Sequence, residues 1–436
     1  MGQPIETDGV GRSAMRKALW RILPLILLAF LCATIDRANI GFAAIQMNAD
    51  LGFSATVYGL GAGLFYLSYG LFEIPSNLMA VRYGSRRWLA RIMISWGLVS
   101  AATMFVRTPL EFYAMRFLLG LAEAGFYPGV IYYFAFWFPA SHRGRAISRF
   151  YVASPVAAIV MGAVSGALLG LGGVGGLRGW QWLFLVEGVP SILVGLAIWR
   201  FLPDRPGTVA WLEPEEKAWI ADRLAREAAE IGEPGQHGVL AALRNPKVLL
   251  LAGLGFSYLA VTNTIILSAP LILQAMTGLD ATRIGTIVSI GGALGAVTML
   301  AGGYYVDRQG DRFLNAFWFT IVLGAAVFAM ALAPTPVAGV IAYLVFAAIC
   351  FPIAMFVASG WGDVLHVREL AVGAAAINGC CQFGAFLTPY GFGALRDATG
   401  GFNVGLFVLG FAALLSATLA WIVRAGLRRR RAAAAG

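Results

Sequence analysis

Residues 27–45, "LLAFLCATIDRANIGFAAI", form an apolar stretch that carries Asp36 and Arg37 side by side near its middle. A helix of about 20 apolar residues crosses the ~30 Å of hydrocarbon in a bilayer. An ionised side chain at that depth costs at least ~2.5 to 3.5 kcal/mol. The two charges therefore predict that this helix faces a cavity or an ionic partner inside a membrane protein.

The composition of the whole chain agrees with this interpretation. The 436 residues are 59% hydrophobic and only 12% charged, against roughly 25% charged in soluble domains. The pattern predicts an all-α membrane protein with twelve transmembrane helices in two six-helix bundles. We expect an N-terminal bundle at 1–202, a cytoplasmic linker with a surface helix at 203–245, and a C-terminal bundle with a basic tail at 246–436. The predicted apolar runs are 20–43, 57–80, 88–106, 109–133, 146–171, 181–202, 247–273, 283–306, 313–333, 336–358, 369–394 and 402–424.

The basic residues indicate the orientation of the chain in the membrane. Of the 32 lysines and arginines, only Arg107, Arg178, Arg283 and Arg396 fall in the loops of one side. This bias predicts that both termini are cytoplasmic. The net charge of +10 then reflects topology and an anionic inner leaflet, so we expect a lipid bilayer and no nucleic acid as partner.

Other function classes find little support in the sequence. The four cysteines lie in apolar segments without metal-ligand spacing, which favours neither a metal site nor a disulfide framework. No nucleophile and base can be paired, so we do not expect an enzyme. We also expect no cofactor.

An internal repeat links the two halves. "RYGSR" at 82–86 recurs as "RQGDR" at 308–312, each between the second and third span of its half. Parallel repeats of this kind are typical of secondary transporters, whose substrate site lies between the halves. Glycines four residues apart, Gly162 and Gly166 in the fifth span and Gly291 and Gly295 in the eighth, allow close helix approach, and ordinary helix packing is sufficient to explain them. The alternative is that such smooth surfaces let two bundles rock against each other.

Four charges of the first and fourth spans form the candidate site. Arg116 and Glu123 are two helical turns apart on one face. We expect them to share a cavity with Asp36 and Arg37, with the guanidiniums binding a carboxylate in two parallel hydrogen bonds. Protonation of Glu123 would then free Arg116 for the substrate. The alternative is a structural cluster in which Asp36 neutralises Arg37 and Glu123 neutralises Arg116.

Two further acids lie at membrane depth in the first half. Glu73 lies near Arg82 and predicts a conformational latch rather than a transport role. Glu187 precedes Gly188 and Pro190, which predicts an interrupted sixth span with a packing role for the acid. The three histidines fall in predicted cytoplasmic loops, so we expect Asp36 and Glu123 to carry any proton.

The second half offers neutral polar groups. Asn378 and Gln382 are one turn apart in the eleventh span, and Tyr258 lies in the seventh. The amides can bind substrate hydroxyls or a second carboxylate, and Tyr258 can contact an aromatic substrate. The alternative for the amides is hydrogen bonding between helices.

Several motifs resemble those of a known family. "GYYVDRQGDR" at 303–312 is similar to the loop motif of the major facilitator superfamily, whereas the first half has "NLMAVRYGSRR" at 77–87, with Asn77 and Val81 in place of glycine and aspartate. "TIDRANIGFA", "YGLGAGLFYLSYGLFEIPSNL" and "RFLLGLAEAGFYPGVIYYFAFWFP" resemble the anion:cation symporter family, in its bacterial tartrate, phthalate and hydroxyphenylacetate permease branch.

The resemblance implies a major facilitator fold and proton-coupled uptake of organic anions. It implies that Arg37 and Arg116 hold the substrate carboxylate and that Asp36 and Glu123 carry protons. Tyr69 and Asn378 would bind the rest of the substrate. The latch residues would be Glu73, Arg82, Asp307 and Arg308.

We therefore expect a monomeric, multi-pass transporter in a bacterial inner membrane that imports a tartrate-like hydroxy dicarboxylate or an aromatic carboxylate together with protons. Exchange of one anion for another is the main alternative. A channel and a membrane sensor are weaker alternatives, because a channel needs no titratable acid beside the arginines and a soluble signalling domain is not evident.

Overall fold

The computed structural model describes the backbone of residues 9–231, 244–365 and 367–435, with all side chains in these ranges except those of 148, 228–231, 307–309, 367–371 and 430–435. Regular structure in these ranges is helical. The helices are α1 (Gly9–Leu51), α2 (Ala55–Tyr83), α3 (Ser85–Ala102), α4 (Pro109–Glu123), α5 (Phe126–Ala135), α6 (Ala140–Tyr151), α7 (Ala153–Leu169), α8 (Gly179–Phe201), α9 (Pro214–Ile231), α10 (Pro246–Thr277), α11 (Ala281–Gln309), α12 (Arg312–Ala331), α13 (Pro336–Ser359), α14 (Trp361–Val364), α15 (Val367–Thr399) and α16 (Asn403–Ala435).

Eleven spans in the described part of the chain are long and apolar enough to cross a membrane. Three of them contain two α-helices: α4 with α5, α6 with α7, and α13 with α14. The spans coincide with eleven of the twelve predicted apolar runs, and the chain is a multi-pass membrane protein.

Helix α15 corresponds to the remaining apolar run. Its 33 residues give a length of about 50 Å, and it packs against α2 and α10. The side chains of 367–371 at its start lie outside the described residues, so its apolar run is described only in part. The count of twelve spans and the cytoplasmic termini stay predictions.

The first half of the chain (α1–α8) and the second half (α10–α16) meet along three helix pairs: α2 with α15, α7 with α11, and α1 with α10. Toward the end of the molecule that carries the α1–α2 loop, here the distal end, the backbones touch. A Cβ on Gly393 would lie 2.1 Å from the carbonyl oxygen of Ala55, and one on Gly162 would lie 2.3 Å from that of Gly285. Glycine is required at these positions because any side chain would separate the halves.

Asp397 closes the same end by holding the start of α2. Its carboxylate accepts hydrogen bonds from the backbone N–H groups of Ala55 at 3.0 Å and Thr56 at 2.7 Å, and from the Thr56 hydroxyl at 2.5 Å. The first N–H groups of a helix have no partner within the helix, and the helix dipole favours an anion there. A residue of the second half thus caps a helix of the first half.

The small residues of the eighth span do not all face the other half. Gly285 and Gly292 of α11 contact α7, whereas Gly291 and Gly295 pack against Ala347 and other residues of α13. Gly291 and Gly295 therefore fit ordinary helix packing rather than a rocking surface between the halves, because these two residues lie on the face of α11 that turns into its own half.

The surface helix predicted in the linker is α9. Lys17 of α1 lies 2.9 Å from Glu216 of α9, and a Cβ on Gly11 would lie 2.5 Å from the Trp219 ring. Burial opposes ionisation of Glu216, but hydrogen bonds from Lys17 and from the backbone N–H of Glu213 lower its pKa below the ordinary value. Helix α9 is therefore docked on the start of α1.

Candidate functional site

The fourth span is broken at the candidate site. Helix α4 ends at Glu123, Gly125 has a φ of +82°, and α5 begins at Phe126. The Ser76 hydroxyl donates to the carbonyl of Ala124 at 2.5 Å and accepts from the Trp88 indole at 2.9 Å. Irregular backbone at membrane depth is tolerated where protein buries it or where it lines a cavity. The sequence predicted one unbroken span here, although Gly125 was a visible signal for the break.

The break places Glu123 at the C-terminal end of α4, where the helix dipole is negative and an ionised carboxylate needs a cation. Arg37 of α1 is that cation: its Nε and Nη2 lie 2.6 and 2.5 Å from Oε1 of Glu123. The other oxygen, Oε2, has no hydrogen-bond partner within the described residues. Glu123 is fully buried, while 28% of the Arg37 side chain is exposed. Solvent therefore reaches the arginine, and Oε2 has the capacity to hold a proton.

Arg116 has no such partner. It is 1% exposed, and none of its three guanidinium nitrogens makes a hydrogen bond to a described residue. Its guanidinium carbon lies 5.1 Å from the centre of the Phe65 ring, and that of Arg37 lies 5.6 Å from the same ring. Five buried donors without acceptors are costly. A carboxylate is the ligand whose geometry best fits them.

The pairing differs from the one expected from the sequence. Glu123 bonds to Arg37 rather than to Arg116, and Asp36 is the acid with the strongest electrostatic interaction with Arg116. Helical side chains lean toward the N-terminus of their helix. Arg116 precedes Glu123 on α4, so its guanidinium leans away from the acid. The structural alternative, with Asp36 on Arg37 and Glu123 on Arg116, is not the arrangement found.

Asp36 is held in a polar pocket between α1 and α3. It accepts hydrogen bonds from Ser100 and, at 3.2 Å, from Asn39. Glu187 of α8 lies beside Asn39 and interacts electrostatically with Asp36. Neither of its carboxylate oxygens has a hydrogen-bond partner in the described ranges. The predicted interruption of the sixth span is wrong, because α8 is continuous through Pro190.

The structure brings Tyr69 to the site but places Tyr258 elsewhere. The guanidinium of Arg37 lies 5.0 Å from the centre of the Tyr69 ring. The Tyr258 hydroxyl donates to the carbonyl of Cys350 at 2.5 Å inside the second half. Gln382 lies at the contact of α15 with α2, 3.1 Å from where a Cβ on Gly70 would be. The substrate-binding roles of these residues stay predictions.

Glu73 and Asn378 join the two halves. The Asn378 amide lies 2.9 and 2.8 Å from the two carboxylate oxygens of Glu73. The sequence placed Glu73 near the loop of Arg82, but Arg82 stacks over Tyr83 with its guanidinium carbon 5.7 Å from the ring centre. Asn378 thus makes the hydrogen bond between helices that was the alternative to a substrate contact, and its partner is the acid predicted as a latch.

Asp307 and Arg308 are the predicted latch residues of the second half, and their side chains lie outside the described residues. The neighbouring part of the motif is described. Arg424 lies 2.8 Å from Asp311, and Arg312 lies 2.9 Å from Asp363. These ion pairs connect the start of α12 to α16 and to α14, at the end of the molecule opposite the distal end.

Replacing Gly125 by alanine is expected to impair both stability and transport. The positive φ costs an L-residue roughly 1–2 kcal/mol, and the new Cβ would lie 2.4 Å from the Ser76 hydroxyl. Thermal unfolding of the purified protein measures the first effect and uptake into vesicles the second. The control is Gly129→Ala, whose Cβ would lie no closer than 3.4 Å to Leu89. Equal behaviour of the two variants would contradict a tightly fixed break.

Comparison with known proteins places this geometry in context. Residues 26–389 match the family described as Major Facilitator Superfamily. A putative tartrate transporter of Agrobacterium vitis is 39% identical, covering 96% of this chain and 93% of that protein. A quinolone resistance transporter of Acinetobacter baumannii is 37% identical, covering 96% and 97%. The inward-open xylose transporter XylE from E. coli has a similar fold, with a TM-score of 0.75, 15% identity, and coverage of 92% of this chain and 96% of that one.

Proposed function

The chain belongs to the major facilitator superfamily and is a secondary transporter rather than an enzyme, and from that premise we propose that it imports a small organic carboxylate together with protons. The candidate substrates are a tartrate-like hydroxy dicarboxylate and an aromatic carboxylate such as phthalate. We further propose twelve spans, cytoplasmic termini, a bacterial inner membrane and a monomeric transporter. The similarity to putative tartrate transporters over nearly the whole chain supports the substrate class.

One observation carries the proposal: Arg116 is buried beside the ion pair of Arg37 and Glu123, and no described residue forms a hydrogen bond with its guanidinium. When Asp36, Arg37, Arg116 and Glu123 are all ionised, their charges sum to zero. A bound carboxylate then leaves the buried site with one excess negative charge. A proton on Glu123 removes that excess, and a dianion requires a second proton, on Asp36.

The pairing suggests an order of events for this proton. Protonation of Glu123 weakens its bond to Arg37, and the substrate carboxylate takes the place of the acid. Removing one partner of a buried ion pair costs about 3–5 kcal/mol. The substrate carboxylate must therefore replace Glu123 at Arg37 in the same step in which Glu123 takes up its proton. The neutral, filled site then crosses the rocking transition at lower cost than a site with a net charge.

The contacts between the halves support alternating access. The distal end is closed by Asp397 on α2 and by the glycine contacts of α7 with α11. We propose that these contacts open to admit substrate and that Glu73 and Asn378 exchange partners during the cycle.

Exchange of anions is the second candidate. A relative of nearly full coverage is named for quinolone resistance, so similarity alone does not select uptake. An exchanger would bind its substrate with Arg37 and Arg116 in the same way. Its return to the starting conformation, however, would require a second bound anion rather than the transfer of a proton.

Transport measurements with purified protein in vesicles distinguish proton-coupled uptake from exchange of anions. We expect tartrate or phthalate to accumulate above its equilibrium level when the outside is acidic, and a protonophore to abolish this accumulation. Uptake that is independent of the pH gradient but requires a carboxylate inside the vesicle would indicate exchange. The absence of gradient-driven uptake and of exchange for every carboxylate in a panel would contradict the proposed substrate class.

A further inference from the structure

A basic pocket lies between α1 and α6, at the end of the molecule opposite the distal end. It is open, with a volume of about 240 Å³, and lies among Arg12 and Arg16 of α1 and Arg145 and Arg149 of α6. Each helix contributes two arginines one turn apart, on one face of the helix. All four side chains are exposed. This pocket is separate from the site between α1 and α4.

No acid in the described part of the chain balances the charge of this pocket. None of the four arginines forms an ion pair with an acid in the described part of the chain, and the neighbouring acids of α9 are engaged elsewhere. Glu216 binds Lys17, and Glu227 binds Arg143 and the backbone N–H of Ala140. Like charges one turn apart destabilise a helix. Four such charges around one pocket therefore favour the binding of an anion.

The surroundings indicate where that anion comes from. Trp20 also lines the pocket and is 77% exposed, one turn and about 6 Å beyond Arg16 along α1. Tryptophan on the surface of a membrane protein marks the boundary between headgroups and acyl chains. The apolar part of the lining, Met15 and Leu19, lies on the same helix. The arginines are thus at the level of lipid headgroups.

We propose that this pocket binds the phosphate-bearing headgroup of an anionic lipid in the leaflet on the side of the chain termini. Arginine forks bind phosphate oxygens in pairs, and Trp20 with Leu19 would contact the start of the acyl chains. The bound lipid would bridge α1, which carries Asp36 and Arg37, and α6, which precedes the close contact of α7 with α11. Its headgroup would neutralise part of the charge of the four arginines.

The test compares lipid binding by the wild-type protein and by the variant Arg12→Gln, Arg16→Gln, Arg145→Gln, Arg149→Gln. Native mass spectrometry in detergent measures retention of phosphatidylglycerol against phosphatidylcholine with the same acyl chains. We expect the wild type to retain phosphatidylglycerol preferentially and the variant to bind it at least about tenfold more weakly, because each basic residue near an anionic lipid adds attraction. The variant Arg87→Gln, Arg200→Gln, Arg428→Gln, Arg429→Gln removes the same charge from other exposed positions and should behave like the wild type.

Competition experiments distinguish a lipid headgroup from a soluble phosphate compound as the ligand of this pocket. Inorganic phosphate and glycerol 3-phosphate should compete only weakly with phosphatidylglycerol; equal binding of these soluble anions would overturn the assignment to a lipid. An unchanged lipid preference in the four-arginine variant would overturn the site itself. Should that variant fail to fold, the pairs Arg12→Gln, Arg16→Gln and Arg145→Gln, Arg149→Gln each test half of the pocket, and each is expected to lower the retention of phosphatidylglycerol.

Discussion

Replacing Arg116 by lysine is expected to lower the affinity for the carboxylate substrate by about 10- to 100-fold. The lysine ammonium keeps the positive charge but lacks the planar fork that holds two carboxylate oxygens. Hydrogen bonds to charged groups contribute roughly 1.5–3 kcal/mol, and each 1.4 kcal/mol corresponds to about a factor of ten. Arg116 has no hydrogen-bond partner within the described residues, so the substitution breaks no bond of the protein itself.

Substrate-dependent thermal stabilisation and uptake into vesicles both measure this effect. Arg107→Lys is the matched control, because Arg107 lies just before the same helix and is exposed. It should keep the affinity of the wild type. Unchanged affinity in Arg116→Lys would place the substrate carboxylate elsewhere. A variant that unfolds at a lower temperature without substrate would point instead to a structural role of the guanidinium.

Replacing Glu123 by glutamine is expected to abolish proton-driven accumulation while exchange of substrate across the membrane continues. Glutamine cannot release or take up a proton in the working pH range, so the bond between Arg37 and residue 123 no longer responds to pH. The internal concentration of substrate should then rise only to the external level, whatever the pH gradient. Counterflow in vesicles loaded with unlabelled substrate measures the exchange that remains.

The control for this variant lies on the same helix. Glu111 completes a capping box with Thr108 at the start of α4, and glutamine is also suited to that position. Glu111→Gln should therefore leave both stability and accumulation unchanged. Uphill uptake by Glu123→Gln at the wild-type rate would remove Glu123 from the coupling mechanism and leave Asp36 as the candidate. Loss of counterflow as well would mean that Glu123 is needed for binding.

The sequence predicted the apolar spans well because the length of a membrane helix depends on local hydropathy. It predicted the linker helix because charge at helix ends is also a local property. It missed the break after Glu123, although Gly125 lies in the quoted motif. A glycine within an apolar run is compatible with an unbroken helix, and the broken form is held by a tertiary contact, the hydrogen bond from the Ser76 hydroxyl to the carbonyl of Ala124.

For the candidate site, too, the sequence predicted one part and missed another. The four charges of the first and fourth spans were evident, since ionisable residues in a membrane need partners. Their pairing was not, because the expected bond of Glu123 to Arg116 rested on their spacing along one helix. In the structure, the approach of α1 brings Arg37 to Glu123. The bond of Glu73 to Asn378 joins residues 305 positions apart, and no local pattern indicates such a contact.

The sequence by itself determined the membrane environment of this protein, the eleven spans confirmed so far, its family and the set of charges from which a site can be built, because each depends on residue type and near neighbours. Only the tertiary structure decided which acid binds which arginine, that no described residue forms a hydrogen bond with the Arg116 guanidinium, and how the halves touch at the distal end. Those features depend on the relative positions of helices that are far apart in the chain, and packing between the helices sets these positions.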